Sequence, residues 1–411
     1  MTTVNAARLH ARIASLARFG ALPGGGVTRS CWSPPHEEAR AWLLGEIRAA
    51  GLSAWVDPAG NVFGGLGTST FSATTPVVLT GSHIDTVPEG GILDGALGVL
   101  AGLECLHAIR EAGARPRRPL VVAAWSDEEG RYGSLFGSRA FCGRLDVAAI
   151  PTMAAVDGER LVDAMARAGF DASQAPAAKA PAGAVHAYVE LHIEQGPRLD
   201  EAGVAIAVVD SIVGVRRMRL IFHGQADHAG TTPMERRRDA FLAAADYALR
   251  ARDLLDRSGA RTVANIGVAS VHPGVSNIVP GRAELVHEMR SADADALEQL
   301  ATGCEALAQE VGRARGLGVD VRRLSATAPV ACSPRVQEAV AASCKQLGLG
   351  YTTLYSAAGH DAQNLASVTE SGMLFIPSRG GKSHRVDETS DAAAIERGAS
   401  VLLRTLLDLA A

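Results

Sequence analysis

The stretch that most constrains this chain is Gly81 to Val99, GSHIDTVPEGGILDGALGV, which lies between a short apolar run and a long periodic one. Before it, PVVLT (76–80) is brief, apolar and rich in β-branched residues, the pattern of a strand buried in a parallel sheet. After it, the periodic segment Ala96 to Ala112 predicts a helix. Strand, polar glycine-bearing loop and helix together imply an α/β sheet, whose ligand crevice lies beyond the carboxyl ends of its strands. His83, Asp85 and Asp94 are therefore expected to face one crevice. An imidazole and a carboxylate suit a divalent ion, and Asp85, two residues after His83, could orient its ring. The stretch alone leaves a second reading open: Asp94 as a plain helix N-cap and His83 as a hydrogen-bonded strand-end histidine.

A chain of 411 residues favours two domains over one. Its 40 Lys and Arg against 44 Asp and Glu offer no electrostatic case for a nucleic-acid or anionic-membrane partner. The six cysteines are scattered without a CxxC pair, so reduced, mostly buried thiols are expected. The N-terminal segment has no apolar run long enough for a signal peptide or membrane span, which points to the cytoplasm. Val4, Leu9, Ile13, Leu16 and Phe19 instead mark one face of a first helix. A second helix opens at Pro34-Pro35, and a hairpin is expected over Ser53 to Leu66 around Asp57 to Gly60.

Further strand ends carry ligand-type residues. The run from Pro119 to Ser126 leads into Asp127, Glu128 and Glu129, where one glutamate could hold a metal while its neighbour acts as a base; a solvated acidic turn is the alternative. AVHAYVELHIEQG (184–196) ends a strand in His192, followed by Gln195, and the strand Gly372 to Ile376 leads to His384. Between these, residues 212–327 change texture. Strands at Arg216 to His223, Val263 to Val271 and Ala283 to Met289, with helices near Arg237 to Leu255 and Asp295 to Ala314, suggest an inserted α+β layer domain with short strands. Within it His228, Asn277 and Arg290 could bind a carbonyl oxygen and a carboxylate, the latter bidentately through Arg290; surface solvation is the alternative. The Ala/Pro-rich stretch Ala175 to Gly183 reads as a surface loop.

Taken in order, GSHIDTVPEGGILDGALGVLAGLE, WSDEEG, ELHIEQGP, HAGTTPM with RRDA, SNIVPG, AGHDA and GGKSH resemble the hydantoinase/carbamoylase amidase family of the zinc aminopeptidase-like superfamily. That family includes N-carbamoyl-L-amino-acid hydrolases, β-ureidopropionases, allantoate amidohydrolases and ureidoglycolate amidohydrolases. The resemblance runs from about Ala7 to Leu407. It implies an α/β fold with a zinc-aminopeptidase-like catalytic domain and mixed central sheet (1–211 and 328–411), plus an inserted lid and dimerisation domain (212–327).

By the same resemblance, Asp94 bridges two divalent ions, zinc or else manganese, cobalt or nickel. His83 and His192 complete one ion, Glu129 and His384 the other. Glu128 is the general base and Asp85 orients His83. Gln195, His228, Asn277, Arg290 and the backbone at Gly359 bind substrate; His228 stabilises the oxyanion from the other subunit of a homodimer, and Asn277 and Arg290 hold the substrate carboxylate. The chain departs from the family pattern at Gly130-Arg131-Tyr132, which is one residue short, at Arg385 to Thr389, and at Glu288, where aspartate is commoner. The activity implied is hydrolysis of an N-carbamoyl-L-amino acid to amino acid, carbon dioxide and ammonia. Allantoate or another ureido acid, an N-acyl or N-formyl amino acid, and a catalytically silent small-molecule-binding role are the alternatives.

Overall fold

The computed structural model describes residues 2–411. In chain order its strands are β1 (Ser53–Val56), β2 (Val62–Leu66), β3 (Val77–His83), β4 (Leu120–Trp125), β5 (Val185–Ile193), β6 (Ile206–Ile212), β7 (Gly214–His223), β8 (Thr262–His272), β9 (Arg282–Ser291), β10 (Gly318–Thr327), β11 (Val330–Ala331), β12 (Tyr351–Ser356) and β13 (Glu370–Ile376). The chain forms two compact units. One holds everything up to Asp210 together with Cys332–Leu354 and His360–Ala411; the other holds Ser211–Ala331 and Tyr355–Gly359.

In the larger unit the strand order runs β1-β2-β4-β3-β5-β13-β6. The sheet is mixed: β4, β3, β5 and β13 are neighbours and mutually parallel, while β1, β2 and β6 join antiparallel. The four parallel strands are buried along most of their length, as the apolar runs predict. Because they are parallel and adjacent, their carboxyl ends share one edge, and His83, the Ser126–Glu129 turn, His192 and the segment leading to His384 all leave from it.

The helix Ala96–Glu111 is apolar almost all round and nearly wholly buried, packed in one core with the helices Ala6–Leu16, Pro34–Ala49 and Ala392–Leu409. Leu9, Ile13 and Leu16 enter that core as their spacing predicts, with Val4 and Phe19 at its margin. The exception on the helix is Glu104, fully buried, which accepts from Arg8 Nε at 2.7 Å, Arg12 Nη1 at 3.0 Å and the Asn5 N–H at 2.8 Å. A buried carboxylate without those donors would be strongly destabilising, so this cluster fixes how the first helix docks.

The expected hairpin forms, with Ser53 opposite Gly65 and the turn closed by Gly60 N–H to Asp57 O at 2.9 Å. All six cysteines are free and buried. The Ala/Pro-rich stretch departs from expectation: Ala172–Ala178 is a 3-10 turn whose Ala175 and Ala178 are buried in a second small core with Trp32, Phe136 and Met165. Alanines are small enough to pack a tight turn against aromatic neighbours, so the first half of the segment is packed, while residues 179–183 form the mostly exposed loop that was expected.

The smaller unit is a four-stranded antiparallel sheet in the order β10-β7-β9-β8, with helices Ala240–Asp256 and Ala294–Ala314 covering one face. Each strand is 10 or 11 residues long, so the short strands expected from sequence are not found. Met218, Leu220, Phe222, Ala283, Leu285 and Met289 line the covered face. The alternate residues carry ion pairs, Arg219 with Glu284 at 3.0 Å and Arg290 with Glu288 at 2.8 Å, as period-two alternation requires.

Candidate metal centre

Asp94 stands at the middle of the convergence. It does not cap the following helix: Gly95 is the N-cap and no side chain caps the helix. Ala96 N–H donates to Asp94 O at 2.6 Å with Gly95 at φ 64°, ψ −49°, a γ-turn that detaches Asp94 from the helix. Its carboxylate is free for other work. Oδ1 lies 3.2 Å from His192 Nε2 and 3.7 Å from His83 Nε2, while Oδ2 lies 3.3 Å from His384 Nε2. His384 Nε2 is 3.6 Å from Glu129 Oε2.

The structure thus assembles His83, Asp94 and His192 as one group, and Asp94, Glu129 and His384 as another, each with donor atoms mutually within 4.8 Å. His83, Glu128 and Glu129 form a third, overlapping group.

Main-chain carbonyls set the rings. His83 Nδ1 lies 3.0 Å from Asp85 O and His192 Nδ1 2.9 Å from Ile193 O, so each ring presents Nε2 to Asp94. The carboxylate of Asp85 is not the orienting group expected from sequence: its Oδ1 is 3.8 Å from His83 Nδ1, and its Oδ2 accepts the Glu129 N–H at 3.2 Å. The backbone turns sharply enough after His83 that the nearer acceptor is the carbonyl. Fully buried Arg29 holds this turn, donating to Ile84 O at 2.6 Å and to Leu16 O at 3.0 Å.

Charge in the centre is unbalanced among the protein's own groups. Burial, then the carboxylates of Glu129, Asp361, Asp85 and Asp94, push Glu128 well above the usual carboxylate range. Burial and Asp94 raise Glu129 to about 7. Although burial opposes its charge, Asp94 is held well below its ordinary value by His192 and His384. Burial likewise opposes a proton on His192, yet Asp94 lifts that ring to about 9; Asp94 also lifts His384 to about 9. Protons on these two rings are the counter-charge that a cation would replace.

Glu129 Oε1 is buried without a hydrogen-bond partner. Converging imidazoles and carboxylates with an unpartnered oxygen fit divalent cations.

Gln195 also reaches the centre, with Nε2 donating to Asp94 Oδ2 at 2.9 Å and Oε1 buried without a partner. His384 and Gln195 both have positive φ, 55° and 60°, uncommon for residues with side chains and frequent at sites where geometry is imposed by function. Sequence reasoning missed three buried neighbours. Glu190 and His360 form a further cluster with His192; both sit inside the ELHIEQGP and AGHDA motifs, which is where a signal was available. Glu388 accepts the Asp94 N–H at 3.0 Å, and nothing in its local pattern marks it.

Arg131 lies in an ion network away from these groups, 3.0 Å from both Asp157 and Glu159. The turn it follows is organised by buried Asp127, which accepts the N–H groups of Arg131, Tyr132 and Gly133.

The remaining expected site residues belong to the smaller unit. His228 is exposed, and its Nδ1 accepts from Gly230 N–H at 3.0 Å and Thr231 N–H at 3.1 Å. A neutral ring so held carries its proton on Nε2, facing outward as a donor. Asn277 is its neighbour, since the Ala229 N–H donates to Asn277 O at 2.9 Å and His228 bridges Ile278.

Arg290 is not with them. Both turns sit at the end of the sheet where His223 and His272 oppose Arg282, whereas Arg290 is eight residues further along β9, about 27 Å at 3.4 Å per residue. There it donates to Ala357 O at 3.1 Å, two residues before Gly359. Within a single chain Asn277 and Arg290 therefore lie too far apart to meet one carboxylate; sequence order hides the length of β9.

A family described as Peptidase family M20/M25/M40 matches residues 79–408. The chain belongs to this M20 family. Its relatives include an N-carbamoyl-L-amino acid amidohydrolase of Geobacillus stearothermophilus, 39% identical over 98% of each chain, and an allantoate amidohydrolase of Escherichia coli, 34% identical over 96% of each. Among solved structures, a hydantoinase/carbamoylase family amidase from Burkholderia multivorans superposes with a TM-score of 0.90 at 33% identity, covering 100% of this chain and 98% of that one. The M20 fold, zinc-peptidase-like with a mixed sheet, is the one described above, and the M20 family is metal-dependent. This M20 member is a hydrolase of carbon–nitrogen bonds other than peptide bonds. Among the described residues no helix is long and apolar enough to cross a membrane.

Proposed function

We propose that this M20 member hydrolyses N-carbamoyl-L-amino acids to the free amino acid, carbon dioxide and ammonia, using two divalent cations. The observation that carries the reading is the division of labour at Asp94, with Oδ1 facing His83 and His192 and Oδ2 facing His384 beside Glu129. His83, His192 and Asp94 would hold one ion, and Glu129, His384 and Asp94 the other. When bound, such ions polarise a scissile carbonyl and acidify water.

The chain's own groups supply the rest. Glu128, 9% exposed and beside both groups of ligands, takes the proton of the attacking water and passes it to the leaving nitrogen. The outward Nε2–H of His228 donates to the oxygen that gains charge in the tetrahedral species. Arg290 binds the substrate carboxylate, and Gln195 and the Gly359 backbone line the substrate. With Asn277 beside His228 and far along the sheet from Arg290, the pair His228 and Asn277 would come from a second copy of the chain, making the working unit a homodimer.

A ureido acid such as allantoate carries the same carbonyl between nitrogens and is the second reading, favoured by the 34% identical relative. The deciding experiment is a screen of N-carbamoyl, N-acetyl and N-formyl amino acids and allantoate for release of both free amino acid and ammonia, with metal-depleted and metal-restored protein. Metal-dependent ammonia from N-carbamoyl-L-amino acids is expected. Ammonia from allantoate alone transfers the assignment to that substrate, and no turnover of any of them overturns the reading.

A further inference from the structure

Glu388 is a buried carboxyl that none of these roles uses. It is 4% exposed and lies in the loop that follows His384. Its Oε1 accepts the main-chain N–H of Leu93 at 3.2 Å and of Asp94 at 3.0 Å. Its Oε2 lies 2.9 Å from Ser383 Oγ, which is also 3.1 Å from Asp94 Oδ2. That oxygen is the one that faces His384.

A serine hydroxyl has one proton to donate, so Glu388 and Asp94 compete for it. Gly91 makes the seat: a Cβ there would fall 2.1 Å from Glu388 Oε1 and 2.2 Å from its Cδ, closer than any real contact.

We propose that Glu388 is a positioning residue for Asp94. It pins the main chain at Leu93 and Asp94 and draws the Ser383 proton to itself, so that Gln195 Nε2 remains the donor on Asp94 Oδ2 and that oxygen's other lone pair is open to a cation on the His384 side. The proposal rests on the two-ion reading above.

An amide at 388 keeps the shape but reverses the last step. Its oxygen still accepts from Leu93 and Asp94, while its NH₂ faces Ser383 Oγ as a donor. Ser383 then turns its own proton onto Asp94 Oδ2, where it competes with the cation for a lone pair.

The test uses the full chain, metal-depleted and titrated with zinc against a competing chelator, with thermal denaturation of each metal-free protein alongside. Glu388→Gln should bind one of two zinc ions roughly 10- to 100-fold more weakly, the range for groups that support a metal ligand, with little change in metal-free melting temperature. Removing the competing proton in Glu388→Gln/Ser383→Ala should recover most of the loss.

Wild-type affinity in Glu388→Gln overturns the proposal, as does a double variant as weak as the single one. Should Glu388→Gln fail to fold, Gly91→Ala, which fills the carboxyl's seat, should show the same selective weakening, and wild-type affinity there overturns the proposal as well. A wild-type chain that holds no zinc overturns the two-ion reading and this assignment with it, whereas two tight sites in both wild type and Glu388→Gln overturn the assignment alone.

Discussion

Replacing Gly95 with alanine perturbs the proposed centre without replacing a ligand. Gly95 occupies φ 64°, ψ −49°, and a Cβ built there lies 2.4 Å from Cδ2, Cε1 and Nε2 of His83. Carbon atoms rest comfortably at about 3.5 Å, so the ring must retreat by about 1 Å. Metal–nitrogen bonds of about 2.0 Å tolerate only about 0.2 Å of displacement, and His83 would no longer ligate. Disturbing a group that merely supports a ligand costs up to about 100-fold in affinity; losing the ligand should cost at least that, about 2.7 kcal/mol. Strain at a conformation that side chains avoid adds about 1–3 kcal/mol against folding, read separately as a fall of several degrees in the melting temperature of metal-free protein. Chelator-competition titration of Gly95→Ala should therefore show one site weakened by about 100-fold or more in a chain that remains folded. Two sites of unchanged affinity would refute the reasoning, because they would mean that His83 is not a ligand or that the γ-turn yields freely.

Two further predictions concern the smaller unit. His228→Ala and Glu128→Gln chains, each inactive alone, should regain partial turnover when mixed under conditions of proven subunit exchange; no recovery would argue against His228 acting across a dimer. Arg290→Ala should raise KM by roughly 10- to 100-fold for substrates with a free carboxylate, the worth of a charge-assisted hydrogen-bond pair, and little for their esters or amides. An equal rise for both would remove Arg290 from carboxylate binding.

Much of the centre was legible because parallel buried strands announce themselves as short apolar runs and place the next polar residues at a common edge. His83, Glu128, Glu129 and His192 follow such runs directly, and the structure brings them together. What stayed hidden depends on distances that one-dimensional spacing does not contain. The Asp85 carbonyl, not its carboxylate, meets His83 because of how the backbone turns. Glu388 reaches Asp94 from almost 300 residues away in the chain. Gly91 makes room for Glu388, a purpose that spacing along the chain does not contain. The separation of Asn277 from Arg290 emerged only once β9 proved to be ten residues long. β10 was overlooked because its Arg322, Arg323 and Ser325 break the apolar pattern of a strand that is largely exposed.

The central claim is that Glu128 moves the proton while its neighbours hold the ions, and Glu128→Gln tests it most directly. Metal analysis and single-turnover ammonia release should be measured on the same sample. Metal content equal to wild type is expected, with turnover reduced by roughly 100-fold or more, in line with the loss of a general base. Near-normal turnover, or loss of metal together with activity, would contradict the claim.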